Sequence, residues 1–214
     1  MKIFSFHIEA KGRPSLARLQ FVNQIELRSY HRSLPAIAPQ TSPTVRDAVE
    51  FTRLAAKRWR YYSAAGEAVN SFSELKQAIR RDSRCEVAFI LTATTTLAGR
   101  EFPVGLAYCR RTWCHHLALD FLALHPRTFA GSPPVAGVGS GMAHGLVQLA
   151  KALQIRRIWG EATANSAPFY ERLLELTPIL DFFVIEAREM KAIQNRQAKI
   201  LRRSLATAGD PALK

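Results

Sequence analysis

The sequence predicts a mixed α/β (α+β) domain: a central, mostly antiparallel sheet flanked by helices, with one βαβ unit behind it. Three observations carry this. Strand-like runs cluster between Glu86 and His125, a helical pattern from Val45 precedes them, and a glycine-led helix followed by a short strand comes after.

Taken in order, Lys2 to Glu9 alternates loosely and reads as a strand. Gln24 to Tyr30 alternates better and reads as the first clear strand. Pro35, Pro39 and Pro43 make Leu34 to Thr44 a connector. Ala48, Phe51, Ala55 and Tyr62 fit one helical face, so Val45 to Ser63 reads as a helix, with Thr44 as its cap and Asp47 at N3. Ser73 to Arg81 reads as a second helix. Glu86 to Thr95 and Glu101 to Thr112 are rich in apolar and β-branched residues and form a hairpin about Leu97-Ala98-Gly99. His116 to His125 is the most apolar strand and stops at Pro126. A loop holding Gly131, Pro133 and Pro134 leads to a helix from Gly137 to Leu153. Strand Arg157 to Thr163, helix Ala167 to Leu174, strand Leu180 to Glu186 and a basic amphipathic helix Arg188 to Leu205 follow, then a frayed end from Ala206.

A chain of 214 residues suffices for one core, and its 48% hydrophobic and 22% charged residues are those of a globular protein. No apolar stretch reaches the ~18 residues of a membrane span, and the N-terminus lacks a secretory pattern, so a cytoplasmic, membrane-free protein is expected. Three cysteines without scaffold spacing agree with a reducing compartment. The formal charge of +13 attracts nucleic acid, phosphorylated cofactors and acidic surfaces without selecting among them.

Gly137-Val138-Gly139-Ser140-Gly141 opening a helix is an anion cradle in physical terms, because first-turn amides lack intrahelical partners and the helix dipole favours negative charge there. Taken alone the glycines are equally compatible with a flexible turn. A dinucleotide site would need an acidic residue ~20 positions on, which Glu161 supplies, but the antiparallel-looking strands before the loop give the wrong strand order.

Leu122-Ala123-Leu124-His125-Pro126, then Gly137-Val138-Gly139-Ser140, resemble the fourth strand and acyl-CoA motif of the GNAT N-acetyltransferase superfamily. Asn165-Ser166-Ala167-Pro168-Phe169-Tyr170-Glu171-Arg172-Leu173 resembles its next block, the more specific signal, and Val104-Gly105 its third strand. The resemblance runs from about residue 85 to 186 and more loosely from Gln24. Three departures are visible: Pro134 occupies the motif's Gln/Arg position, the loop before Gly137 is long, and Leu174-Glu175 replaces Gly-Phe.

The resemblance implies a GNAT-like sheet whose fourth and fifth strands splay apart, and acetyl-CoA as acyl donor to a primary amine in a ternary complex. It implies a cofactor-binding set of Leu122, Ala123, Leu124, Gly137, Val138, Gly139, Ser140, Gly141, Asn165 and Phe169. Leu122 and Leu124 would meet the pantetheine arm with main-chain groups, and Val138 to Gly141 would supply pyrophosphate amides. Tyr170 matches the family's general acid, whereas packing beneath the cofactor is its structural alternative. Glu161 is the first candidate for the base and Asp120 the second, each against a plain surface carboxylate. Cys109, Cys114, His115 and His116 fit no common zinc spacing, so no metal is expected.

The expected division is an N-terminal extension 1–44 that includes the first strand, an acyl-CoA-binding acetyltransferase core 45–186, and a basic C-terminal helix and tail 187–214. Arg188, Lys191, Arg196, Lys199, Arg202 and Arg203 on that last helix are a solvated face or a footprint for RNA, a ribosome or an acidic partner. The amine acceptor is a small molecule or a protein, and a homodimer is compatible. The reading from another class is a catalytically silent acyl-CoA-binding or nucleic-acid-associated module on the same fold.

Overall fold

A computed structural model describes residues 4–10, 12–97, 99–130, 135–176 and 178–208. The expected turn residue Ala98, the loop residues Gly131, Pro133 and Pro134, and the end of the tail from 209 lie outside these. Strands β1 (Phe4–Ala10) and β2 (Arg13–Phe21) are followed by helices α1 (Gln24–Arg32), α2 (Pro43–Ala64) and α3 (Phe72–Arg81). Strands β3 (Val87–Leu97), β4 (Arg100–Arg111) and β5 (Leu117–Leu124) come next. The short α4 (Arg127–Ala130) and β6 (Val135–Ala136) lead to α5 (Val138–Ala152). The chain ends through β7 (Ile158–Glu161), α6 (Ala167–Leu174), β8 (Phe182–Ile185) and α7 (Ala187–Ala208).

One eight-stranded sheet runs in the order β6-β1-β2-β3-β4-β5-β7-β8. Its pairings are antiparallel except β5 with β7, which is parallel. That parallel pair needs a crossover, and α5 provides it, which is the βαβ unit expected from the sequence. The sheet buries both faces. One face packs on α5 through Met142, Leu146 and Leu149 against Phe89, Leu91 and Leu117. The other packs on α1 and α2 through Leu27, Tyr30, Ala55 and Trp59 against Ile90, Leu106 and Tyr108. No described helix is long and apolar enough to cross a membrane.

Two expectations at the N-terminus are corrected. Gln24 to Tyr30 is helix α1, not a strand. Its alternation also satisfies the i, i+3 spacing that buries Leu27 and Tyr30, while Ile25, an inward residue of the strand reading, is 73% exposed. The deciding feature is local: the Asn23 side chain accepts from the amides of Ile25 and Glu26, and Glu26 reaches back to the Asn23 amide, a complete capping box. The strand that precedes the helices is instead β2, which pairs with both β1 and β3.

The cap of α2 is Ser42 rather than Thr44. Ser42 accepts from Val45 at 3.4 Å, and Pro43 takes the first helical position, where its fixed φ is already helical. Asp47 is thereby released from the N3 role, and its carboxylate turns elsewhere.

Candidate active site

The parallel pairing of β5 with β7 covers only Leu117 with Ile158, Ala118 with Trp159 and Leu119 with Gly160. Beyond that point β7 stays with β8, whereas β5 stays with β4 as far as Leu124. The two strands therefore separate into a slot.

A β-bulge marks the divergence. Tyr108 faces Phe121 and Cys109 faces Leu119, so Asp120 is the extra residue on β5. It resets the strand's parity. Before it, the Leu117 amide donates across to Arg157 on the β7 side. After it, the His125 amide donates to Val104, the β4 side, so by alternation the main-chain groups of Leu122 and Leu124 point to the vacated edge. Their side chains meanwhile pack on the α5 core.

The slot opens into a cavity of about 210 Å³. Leu122, Ala123 and Leu124 form one wall, Gly139 at the start of α5 adjoins it, and Asn165, Phe169 and Tyr170 form the opposite side. Helix α2 closes the roof with Thr44, Asp47, Ala48 and Phe51. Sequence reasoning did not select these α2 residues. The signals for them were the apolar face that Ala48 and Phe51 share, the placing of Thr44 and Asp47 at the helix start, and the resemblance, which sets this helix beside the acceptor pocket.

Gly137 begins α5 in the left-handed region at φ 79°, and no side chain caps the helix. Pairing of Val135 and Ala136 with β1 fixes the approach. The amides of Val138, Gly139 and Ser140 have no acceptor among the described residues, and the Ser140 hydroxyl donates back to the Gly137 carbonyl at 3.0 Å. The Gly141 amide, expected as a fourth donor, is spent on the Gly137 carbonyl at 2.9 Å, the first turn of the helix itself. Gly139 has a second requirement, since a Cβ there would stand 2.9 Å from the Phe169 ring.

Tyr170 is 5% exposed. Its ring stacks on Phe183 at 3.9 Å and meets Phe169 edge-on at 4.9 Å. Burial pushes its phenol well above the ordinary value, so the hydroxyl keeps its proton and can donate. No partner for that hydroxyl occurs among the described residues.

The two candidate bases stand apart from the cavity. Glu161 is exposed at the end of β7, outside the lining. The Asp120 carboxylate lies on the α2 face, where Arg110 grips both oxygens at 2.7 and 2.9 Å and Arg58 approaches at 3.4 Å. Both carboxylate oxygens are thus occupied by guanidinium donors. Arg110 also binds Glu86 at 2.7 Å, which, with the Tyr62 hydroxyl, holds that carboxyl below its usual value against the opposing effect of burial.

Asp47 is the carboxylate that the cavity does contain, the single one among its described lining residues. Its Oδ2 accepts from the Asn165 amide at 2.6 Å, which ties α2 to the loop before α6 across the slot. The other oxygen has no partner among the described residues. Asn165, expected to hold a cofactor arm or the splayed backbone, thus orients this acid.

No protein-family model matches the chain, and no curated protein matches it. Among solved structures it is similar to a protein assigned to the GNAT acetyltransferase family from Desulfovibrio desulfuricans, at 16% identity over 79% of this chain and 97% of that one, with a TM-score of 0.42. It is similar to mutant forms of the spermidine/spermine N-acetyltransferase SpeG from Vibrio cholerae, at 12% identity over 84% and 98% of the two chains, with a TM-score of 0.42. It is also similar to nourseothricin acetyltransferase at 19% identity and a TM-score of 0.30, covering 40% of this chain and spanning about half (48%) of that protein's length.

Proposed function

We propose that this chain, with its GNAT-like fold, is an N-acetyltransferase that carries the acetyl group of acetyl-CoA directly to a primary amine. The observation that carries the reading is the slot itself: a one-sided strand edge at Leu122 and Leu124, uncapped amides at the start of α5, and a protonated tyrosine meet around one cavity.

The residues suit such a donor. The amides of Val138, Gly139 and Ser140 offer donors and a helix-dipole field to a diphosphate. The free edge of β5 would take an extended amide-bearing arm as an added strand takes its neighbour. A Leu122 amide aimed at the thioester oxygen would stabilise charge that develops there. Acetyl-CoA supplies an activated carbonyl; the chain supplies placement and protons.

In the transfer, the amine nitrogen forms a bond to the acetyl carbon, the carbon–sulfur bond breaks, the departing thiolate takes the Tyr170 proton, and the proton that the nitrogen sheds on becoming an amide restores Tyr170. The incoming amine must first lose a proton. Asp47 is the carboxylate placed to draw an ammonium into the cavity and to receive that proton, directly or through water.

The test pairs two measurements on the purified protein. Calorimetry with CoA reads cofactor binding, and thiol release from acetyl-CoA with polyamines, amino acids, aminoglycosides and peptides reads transfer. Saturable binding with amine-dependent thiol release is expected. Binding without release from any amine would leave an acyl-CoA-binding module, and no binding at all would overturn the reading.

A further inference from the structure

A second concave feature lies away from the slot, between α1 and α2. It has a volume of about 540 Å³ and is lined by Gln24, Leu27, Arg28, His31, Arg32 and Arg60. Arg28 and Arg32 are one helical turn apart on α1, on the same side as Gln24, and Arg60 faces them from α2. All three arginines are exposed, and none has an ion-pair partner among the described residues. The nearby carboxylates are engaged elsewhere: Glu26 holds the Asn23 amide at 2.8 Å, and Glu50 pairs with Arg53 at 2.8 Å. His31 is neutral in this setting, because burial and the neighbouring arginines lower its pKa, and its Nε2 is directed at the Thr52 carbonyl at 3.2 Å.

Unopposed like charges lining one groove cost stability by mutual repulsion unless an anion lies between them. Their identity narrows the anion. Guanidinium groups bind phosphate oxygens in a fixed two-pronged geometry. The cationic surface also extends beyond the groove: Arg46, Lys57 and Arg60 share one face of α2, where the remaining charges, Glu50 and Arg53, neutralise each other, so an extended polyanion is favoured over a single ion. Outside the groove lining, one residue after Arg60 on α2, the Tyr61 ring is 73% exposed and touches only the Tyr62 ring edge-on among the described aromatics. An exposed aromatic among arginines offers a stacking face that an acidic peptide would not use.

We propose that the α1–α2 groove binds the phosphodiester backbone of a single-stranded polynucleotide through Arg28, Arg32 and Arg60, with Tyr61 stacking on a base. This places the nucleic-acid footprint on α1 and α2; on α7, Arg196 is committed to Glu175 and the Arg172 carbonyl, while Arg188, Lys191 and Lys199, exposed and without ion-pair partners among the described residues, make that helix the competing surface. The inference does not depend on acetyl transfer.

The probe is a fluorescently labelled oligouridylate, with anisotropy read over a salt series. Two full-length variants carry the same loss of charge: Arg28→Ala/Arg32→Ala/Arg60→Ala in the groove and Arg188→Ala/Lys191→Ala/Lys199→Ala on α7. Thermal melts confirm that both fold; the substituted side chains are exposed. The groove variant is expected to bind at least about tenfold more weakly, with a log–log salt slope shallower by about 2, as the loss of three phosphate contacts on a single strand requires. The α7 variant is expected to stay within about twofold of wild type. Tyr61→Ala should weaken binding while leaving the salt slope unchanged. The proposal is overturned if the wild type does not bind, if the two charge variants lose affinity equally, or if polyglutamate displaces the oligonucleotide at equal charge concentration.

Discussion

Tyr170 and Asp47 make opposite demands on their surroundings, and the fold meets both within one cavity. Tyr170 is packed among Phe169 and Phe183, which keeps its hydroxyl protonated. Asp47 sits on a half-buried helical turn, steered by a single amide. Tyr170→Phe is expected to keep CoA affinity within about twofold and to lower turnover well over tenfold; equal turnover would reduce the tyrosine to a packing role. Asp47→Asn preserves shape and removes the negative charge, so it should raise the amine KM and lower turnover without changing CoA binding. A KM and turnover equal to wild type would exclude Asp47. The contrast between these residues also shows what the sequence could convey. Tyr170 was legible because it lies in a short contiguous motif. Asp47 was not, because it stands 118 positions from its partner Asn165, and only the folded sheet brings them together. Glu161 and Asp120 drew attention because they stand on the two strands expected to flank the slot, a position that says little about which way a side chain turns at a strand end or a bulge.

At the scale of elements, the site exists because β5 has a partner on one side only over its second half, and a glycine guards the point of separation. A Cβ on Gly160 would stand 2.6 Å from the Leu119 carbonyl and 2.9 Å from the Phe183 ring. Gly160→Ala should therefore push on the last paired rung of β7 and, through Phe183, on the ring stacked beneath Tyr170. The expected cost is about 1–3 kcal/mol of stability by denaturant unfolding, together with reduced turnover. Unchanged stability would mean that β7 can give way at no cost. Strands β3, β4 and β5 and helices α2 and α5 follow the sequence closely because their patterns are long and strongly periodic, whereas α4 and β6 fall within the stretch read as a loop. Near the N-terminus β1 is the expected strand, but the next two elements differ. Gln24 to Arg32 fits either period over its few residues, and the capping box outweighs the alternation; Asn23→Ala should accordingly destabilise the protein by about 1 kcal/mol. Strand β2 was missed because charged Arg13 and Arg18 and Pro14 interrupt it, although Ala17, Leu19 and Phe21 on its inward face are buried.

The layers of the molecule pack through two apolar cores, and a buried histidine whose protonation state the fold dictates adds a polar tie between the sheet and the helical layer. His125 is 0% exposed at the end of β5. The Arg127 amide donates to its Nδ1 at 3.3 Å. Its Nε2 lies 3.0 Å from the Ser33 hydroxyl, which itself donates to the Tyr30 carbonyl and so is left to accept. Both contacts require the neutral Nε2–H tautomer. The ring thus joins β5 to the segment after α1, and Tyr30 packs edge-on against it at 5.3 Å. Burial, with a smaller contribution from Arg127, lowers its pKa from 6.5 to about 4. The sign follows directly. Between those values the unfolded chain binds a proton that the folded chain refuses, so stability falls as pH drops from about 6.5 toward 4, by an amount on the order of 3 kcal/mol when complete. Glu86, whose carboxyl is held low by Tyr62 and Arg110, adds a loss of the same sign only below about 4.5, so the two can be separated by pH. Urea unfolding across this range should show most of the loss above pH 4.5 in the wild type. In His125→Gln, which retains an amide donor toward Ser33 and cannot take up a proton, that slope should fall sharply, even though the variant is less stable at neutral pH; what remains belongs to His31, His115, His116 and His144, whose pKa values burial also lowers, by less. A slope undiminished by the substitution would assign the acid sensitivity to those other groups and leave His125 as packing alone.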